Sequence, residues 1–465
     1  MSLDLSGRDD AIVCQPIKID IPKEHPLIKL ANMLHWSALF EIVIPDLKKT
    51  TAKGFWWLGR KLIIRIHLGA YILQRLYNLT DRQTEYGIKD NAAYQLFCGK
   101  GVVDTFNPPD HTKIEEFRNR LSAETQRKLA NETAKIAVEL GFGDPRDVDF
   151  DSTVQQANIA YPSDADLMTK LAGMGKKILD YLREKGDRFI PEDIEINMKL
   201  IKSKAREYFF LAKNTGLEKR REVFASLHKL IKRQMRPVVD ICQSLHIKSI
   251  EELPWNIHHT VNQIREDAWR YLLDVAHFIR TQSLKSGKIL SFHSRAVTCI
   301  KKGKLGKEKE FGRVFQLGRI KGNFLYVLAS TSLRMEDKHC LVPLIEEHVK
   351  IFGKYPTNSL GADKGYWSAK NLKAVKKTKT QLVGLQCPKN IKDTSWQPEE
   401  EIHQRLINRR AGIEPLIGHV KGGGQLGKSR MKSDTATLAA GYSSILGFNL
   451  RQLMKKQSNK MRKVA

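Results

Sequence analysis

The first long pattern along the chain is helical and extends from about residue 25 to residue 140. Apolar residues recur every three to four positions at Leu62, Ile66, Ala70, Leu73 and Leu76, the spacing of one helix face. The pattern further predicts a turn at residues 78–81, a second helix ending at Phe97, and a third helix with Thr112 as N-cap and Glu115 completing a capping box. Residues 1–25 are polar and are expected to form a loose arm.

Basic residues accompany these short helices and their polar turns. They are Arg60, Lys61, Arg65 and Arg75. Short helices with such charges are typical of a helix-turn-helix-like DNA-binding module. A plain helical bundle with a basic surface fits the same pattern.

The pattern changes to period two between residues 148 and 159. Val148 and Phe150 point to one side, whereas Asp147, Asp149 and Asp151 point to the other. This alternation predicts a strand at the edge of a site.

Residues 164–284 return to a helical pattern and are predicted to be an insertion into a β-rich domain. The expected helices cover residues 167–185, 191–214, 218–245 and 254–284, with Pro191 and Pro254 in first turns. The insertion either provides a surface for DNA or a partner or serves as a structural spacer.

The remainder alternates strands and helices, as in a mixed α/β layer. Strands are predicted at residues 289–300, 311–317, 324–332 and 381–387, and helices at residues 336–352, 368–376 and from 399 onward. A short apolar run at residues 359–362 ends at Asp363. The stretch between the first two strands, residues 301–309, is expected to be a basic hairpin tip that contacts DNA through Lys301, Lys302 and Lys304.

The charge narrows the choice of partner. The 465 residues contain 79 lysines and arginines against 51 acids, a net charge of +28, which attracts polyanions such as nucleic acid.

The six cysteines form no CxxC pair, which argues against structural zinc and a disulfide framework. The most apolar stretch, residues 55–79, carries too many charges to span a bilayer. An intracellular protein without a membrane association is expected.

Three carboxylates stand where a metal site for phosphodiester chemistry needs them. Asp151 and Asp363 are each predicted to end a strand, and Glu414 lies on the last helix. Arg410 and Lys421 flank Glu414 at offsets of four and seven residues, which would place two cations and an acid on one helix face. Strand-end acids are also common in turns, and the cations also fit a solvated helix face. Asp149 is the rival of Asp151, and His419 fits either a nearby hydrogen bond or a structural role.

Taken with their flanks, these residues resemble a DDE transposase of bacterial insertion sequences. The stretches LYNLTD, YQLFCG and PPDHTKIEEFRNRL are similar to its amino-terminal domain; DSTVQQANIAYPSDADL, ADKGYWSAKN, RAGIEPLIGHVKGGGQLGKSRMK and AGYSSILGFNLRQL are similar to the regions of its three acids. The motif Tyr-x2-Arg-x3-Glu-x6-Lys maps onto Arg410, Glu414 and Lys421. Two positions depart from the pattern: Ile407 replaces the tyrosine, and Pro415, directly after Glu414, implies a kinked or broken helix.

The resemblance implies an α/β fold with an RNase H-like mixed sheet, a helical N-terminal DNA-binding domain and a helical insertion. The expected layout is a flexible arm at 1–25, the DNA-binding domain at 26–142, the catalytic domain at 143–163 and 285–454, the insertion at 164–284 and a basic tail at 455–465. Asp151, Asp363 and Glu414 would hold two Mg²⁺ ions, with Mn²⁺ as substitute, while Arg410 and Lys421 contact DNA.

The implied activity is binding of terminal inverted repeats, followed by metal-dependent cleavage and strand transfer into target DNA. The protein would act as a homo-oligomer on double-stranded DNA, in the cytoplasm and associated with the nucleoid. Two alternatives are a catalytically inactive DNA-binding protein derived from a transposase, and an RNase H-like nuclease or resolvase without strand transfer.

Overall fold

A computed structural model describes the chain over residues 20–48, 57–101, 106–185, 194–214, 217–245, 250–304, 307–330, 335–385, 400–431 and 433–462. The helices before the first strand are α1 (Pro26–Met33), α2 (Trp36–Lys48), α3 (Trp57–Tyr77), α4 (Asp81–Asp90), α5 (Ala92–Phe97), α6 (His111–Arg120) and α7 (Ala123–Glu139). The helices between the first and second strands are α8 (Asp164–Glu184), α9 (Met198–Asn214), α10 (Leu217–Ser244) and α11 (Trp255–Thr281). The later ones are α12 (Asp337–Phe352), α13 (Ala369–Lys377), α14 (Glu400–Ala411), α15 (Ile413–Gly422) and α16 (Asp434–Arg462).

One six-stranded mixed sheet lies at the centre. Its strands are β1 (Asp144–Gln156), β2 (Thr298–Lys304), β3 (Lys307–Lys321), β4 (Phe324–Val327), β5 (Ser359–Ala362) and β6 (Leu382–Leu385). The order is β2-β3-β1-β5-β6, and β4 pairs with the C-terminal part of β3. β1 is antiparallel to β3 and parallel to β5, which is parallel to β6. The predicted mixed α/β architecture is therefore confirmed.

Strand β1 lies centrally because its two faces meet different surroundings. Val148 and Phe150 are fully buried in the hydrophobic core. Since side chains alternate along a strand, Asp147, Asp149 and Asp151 share the opposite face. Arginines of α14 reach these acids, as described below, so that α14 covers this face of β1.

Two hydrophobic cores stabilise the described residues. One joins the N-terminal helices, the sheet and α16, and includes Leu73, Ala134, Phe150 and Phe448. The other lies within residues 165–292 and includes Leu171, Val239 and Tyr271. The inserted helices thus have a core of their own, whereas the N-terminal helices share theirs with the sheet.

Several predicted boundaries were wrong. The second strand begins at Thr298 rather than at residue 289, and residues 301–304 and 307–309 belong to β2 and β3 rather than to a connecting tip. β3 runs on to Lys321, and β4 already ends at Val327. Helix α9 begins at Met198, residues 194–197 are not helical, and predicted first-turn Pro191 lies outside the described residues. Pro254 is the N-cap of α11 rather than a first-turn residue.

The N-cap of α6 was also assigned to the wrong residue. Asp110, not Thr112, caps the helix, and its side chain accepts a hydrogen bond from the Lys113 N–H at 2.9 Å. The Thr112 hydroxyl instead donates to Asp110. Asp110, two residues before Thr112, is thus the N-cap because its carboxylate accepts a hydrogen bond from a backbone N–H in the first turn of the helix.

Among the described residues, no single helix has the length and apolar character to cross a membrane; α1 and α2, bent by 71°, meet that test only as a pair.

Candidate active site

Asp151, on β1, and Asp363, directly after the parallel strand β5, lie close to each other. Phe150 of β1 is opposite Ala362 of β5, and each acid is the following residue of its chain segment. Neighbouring strands are about 4.8 Å apart, so the two backbones bring these carboxylates to one edge of the sheet. Both acids are partly exposed.

Arg410 joins Asp151 to the third acid. Its Nη1 lies 3.0 Å from Asp151 Oδ2, and its Nη2 lies 3.5 Å from Glu414 Oε1. The predicted break near Pro415 is confirmed, because α14 ends and α15 begins on either side of Gly412. Pro415 lies in the first turn of α15, where its missing N–H leaves no intrahelical bond unmade. The broken helix still places Arg410 between the two acids.

The electrostatics of Asp151 reflect this crowding. Burial raises the pKa of Asp151 to about 6; the Ser152 N–H and Arg410 oppose the rise, whereas Asp363 and Glu414 add to it. The side chain of Asp151 is 15% exposed, against 63% for Glu414. Asp363 and Glu414 are thus near enough to disfavour the charged form of Asp151.

Asp149, the rival for the first position, is engaged elsewhere. Arg319 Nη2 lies 2.6 Å from its Oδ2, and Arg409 Nη2 lies 2.7 Å from its Oδ1. Asp149 is 3% exposed, and Arg409 also reaches Asp147 at 3.4 Å. Gly361 lies opposite Asp149 on β5, and a Cβ there would collide with the Asp149 carboxylate. Both oxygens of Asp149 are thus held in a buried ion-pair network.

Asp337 is a fourth carboxylate that sequence reasoning missed. It lies in the first turn of α12, and its Oδ1 accepts a hydrogen bond from Gln316 Nε2 at 2.7 Å. Burial raises the pKa of Asp337, hydrogen bonds from Gln316 and Ser152 oppose the rise, and Asp363 adds to it. In the sequence it resembled an ordinary acid at a helix start, and only its tertiary contacts reveal it.

The same network supports the turn after Asp363. Asp363 caps the 3-10 turn Lys364–Tyr366, and its carboxylate accepts a hydrogen bond from the Lys364 N–H at 2.7 Å. The fully buried Tyr366 donates its hydroxyl to Gln316 Oε1. Gln316 lies opposite Ser152, the residue after Asp151. Asp337 and Gln316 therefore connect the backbones that carry the two acids.

Lys421 lies in the last turn of α15 and lines a groove with residues of the N-terminal helices. A side chain at Gly424, three residues after Lys421, would collide with Ser444 of α16, so that close packing on α16 requires this glycine. His419 is exposed.

Only some of the residues that were predicted to contact DNA have a described side chain. The side chains of Arg60, Lys61, Lys301, Lys302 and Lys304 lie outside the described part, and their roles stay predictions.

Arg65 lies over the Trp36 ring, 3.1 Å from its centroid, and burial lowers its pKa to about 10. The guanidinium of Arg65 is thus engaged in packing between α2 and α3. Its predicted contact with DNA remains untested.

The acids fit a divalent cation by their chemistry. Among the described residues, no three His, Cys, Asp or Glu side chains are grouped closely enough to hold a metal ion. The donors are carboxylates, which Mg²⁺ and Mn²⁺ prefer, and burial together with the nearby Asp363 and Glu414 raises the pKa of Asp151, which a bound cation would lower. In this conformation the Arg410 guanidinium supplies that charge.

Comparison with known proteins shows which family the N-terminal part of the chain is similar to. Residues 15–120 match the family model described as "Transposase domain (DUF772)". The match supports a transposase family. The chain is also similar to "Uncharacterized protein ORF8 in nfe locus" of Rhizobium meliloti, with 25% identity over 174 residues, 36% of this chain and 79% of that protein. No solved structure gives a significant match.

Proposed function

We propose that the chain is a DDE transposase that cleaves DNA at the ends of a mobile element and joins the ends to target DNA. One observation carries the proposal: Asp151 lies on β1 next to Asp363, which directly follows parallel β5, and Arg410 links Asp151 to Glu414. The transposase-domain match of residues 15–120 supports it independently.

The sheet order supports an RNase H-like catalytic fold. Antiparallel β4, β3 and β1 are followed by parallel β5 and β6. Asp151 lies on β1 and Asp363 directly after β5, the two central strands that run parallel, and Glu414 of α15 contacts the Arg410 that pairs with Asp151.

Asp151, Asp363 and Glu414 would hold the divalent ions. Two such ions, when bound, activate the attacking oxygen and stabilise the leaving one. Arg410 lies between two of these acids and is placed to neutralise a phosphate oxygen beside them. Lys421, one to two helical turns from Glu414, would contact DNA beyond the scissile bond.

The region matched by the transposase domain would bind the terminal inverted repeats, assisted by Arg60, Lys61, Arg65 and the β2–β3 hairpin. A homo-oligomer assembled on two element ends, at the nucleoid, would complete the reaction.

The test uses a duplex that carries the sequence flanking the gene. With Mg²⁺ or Mn²⁺, the chain should cut it, and Asp151→Asn, Asp363→Asn and Glu414→Gln should each reduce single-turnover cleavage by at least about 10³-fold. Circular dichroism and gel shifts should stay unchanged. Asp147→Asn, on the same strand face, is the matched control and should retain cleavage.

A second measurement asks whether the acids bind the ion. Loss of the free Mn²⁺ electron paramagnetic resonance signal should report binding by the unmodified chain and weaker binding by the three variants. Normal Mn²⁺ binding and normal cleavage by any one variant would remove that acid from the site.

One observation favours the inactive alternative, because Arg410 already compensates the charge of Asp151. A DNA-binding protein without catalysis would shift the duplex in gels yet leave it uncut with either ion. That result would overturn the enzymatic part of the proposal.

A further inference from the structure

A groove of about 680 Å³ separates the N-terminal helices from the segment that follows α15. Five basic side chains line it, and it is called the basic groove here: Arg75, Arg118, Lys421, Lys428 and Arg430. Asn78, Asn158 and Gln425 add polar groups. Its composition suits a ligand with several negative charges and hydrogen-bond acceptors.

Two of these cations, Lys428 and Arg430, have no acid beside them among the described residues. Among the residues lining the groove, Asp81 is the sole acid, and Arg118 and Gln74 already contact its carboxylate. Lys428 and Arg430 are exposed, and their charged groups have no ion-pair partner among the described residues. The two therefore present free charges at the mouth of the groove.

Arg451 fixes the walls of the groove to each other. From α16 it donates hydrogen bonds to the Leu76 carbonyl at 2.9 Å, at the end of α3, and to the Gly423 carbonyl at 3.5 Å. Hydrogen bonds from one arginine therefore hold the two walls of the groove in a fixed position relative to each other.

The groove also continues the strand that carries the first acid. Gln156, the last residue of β1, forms a parallel bridge with Lys428, and its N–H donates to the Gly427 carbonyl at 2.9 Å. Asp151 and Gln156 are five positions apart, so at about 3.3 Å per residue the bridge lies about 16 Å from the acid.

This distance sets a limit on the length of DNA involved. Phosphates of one strand of a duplex advance by about 3.4 Å along its axis, so a distance of about 16 Å covers at most about five base pairs. The bridge at the basic groove is therefore close enough to Asp151 for one duplex to reach both.

We propose that the basic groove binds backbone phosphates of duplex DNA, within about five base pairs of the bond that the acids cut. The position relative to the cut rests on the proposed function, whereas the binding does not. Phosphate contacts position DNA without selecting its sequence, so the groove acts on any duplex.

The experiment measures duplex affinity against salt concentration, with Asp151→Asn in every protein so that no cleavage occurs. Lys428→Ala with Arg430→Ala should lower affinity equally on specific and unrelated duplexes. The slope of log affinity against log salt should fall by about 1.8, or 0.9 per lost contact. Lys354→Ala with Lys377→Ala, two exposed lysines outside the groove, is the charge-matched control. A slope that changes no more than in this control would overturn the proposal.

Single methylphosphonates then locate the contact. A neutral linkage is placed in turn at each of the five positions next to the cut, and at least one should weaken binding of the Asp151→Asn protein. The same linkage should have no effect when Lys428 and Arg430 are also alanine. An effect that persists in this variant would place the contact elsewhere. If the otherwise unmodified chain cuts no DNA but the slope still falls, the proposed function fails and the groove stands.

Discussion

The two neighbouring acids of β1 should respond in opposite ways to the same substitution. Asp149→Asn removes the negative charge between Arg319 and Arg409, both of which contact it within 2.7 Å. Asp151→Asn removes a carboxylate that burial, Asp363 and Glu414 all disfavour in its charged form.

The magnitudes follow from burial. Removing one member of a buried ion pair typically lowers the free energy of unfolding by about 3–5 kcal/mol, since it leaves uncompensated charge. Asp149→Asn should fall at the lower end, about 3 kcal/mol, because Arg319 keeps the Arg409 carbonyl at 2.5 Å and Arg409 keeps Asp147. For metal-free Asp151→Asn we expect no loss of stability, or a gain, because Arg410 retains Glu414.

Urea unfolding, followed by circular dichroism, measures the free energy of unfolding of both variants. Single-turnover cleavage is then measured without urea, at a temperature where each variant is folded. Asp151→Asn should be stable and inactive; folded Asp149→Asn should retain activity. A stable Asp149→Asn protein that cannot cleave would show that Asp149 is the first acid, and the assignment of Asp151 would be wrong.

Two further predictions concern residues whose surroundings only the structure reveals. Asp337→Asn should raise the Mg²⁺ concentration for half-maximal cleavage about tenfold, about 1.4 kcal/mol, because Asp337 connects the backbones that carry Asp151 and Asp363. The control Glu336→Ala should leave that concentration unchanged. An unchanged Mg²⁺ titration of Asp337→Asn would make the role of Asp337 purely structural. Arg65→Ala should lower the free energy of unfolding by about 1–2 kcal/mol through loss of its contact with Trp36 and leave duplex affinity unchanged; lower affinity at unchanged stability would instead support the predicted DNA contact.

The sequence was informative where a local pattern changes. The period-two alternation predicted that Asp151 lies on a strand, and the apolar run before Asp363 predicted that this acid follows one. Pro415 predicted the helix break at Gly412. Each of these features depends on residues within a few positions of one another, so that periodicity and backbone chemistry sufficed.

Partners distant in the chain were not predictable. Asp149 looked equivalent to Asp151 until Arg319 and Arg409, 170 and 260 residues away, proved to hold it. The role of Asp337 depends on its hydrogen bond with Gln316 of β3, which no pattern in the sequence predicts. Strand ends such as that of β3 were missed because pairing with β1 continues through residues of low intrinsic strand preference.

The inserted helices leave and re-enter the sheet at almost the same place. Gln156 at the end of β1 and Thr298 at the start of β2 both pair with Gly312, from either side of β3. Two strand spacings separate them, about 10 Å, which a linker of a few residues spans. A segment with its own core and adjoining ends can be acquired, exchanged or lost during evolution without altering the strands that carry the acids.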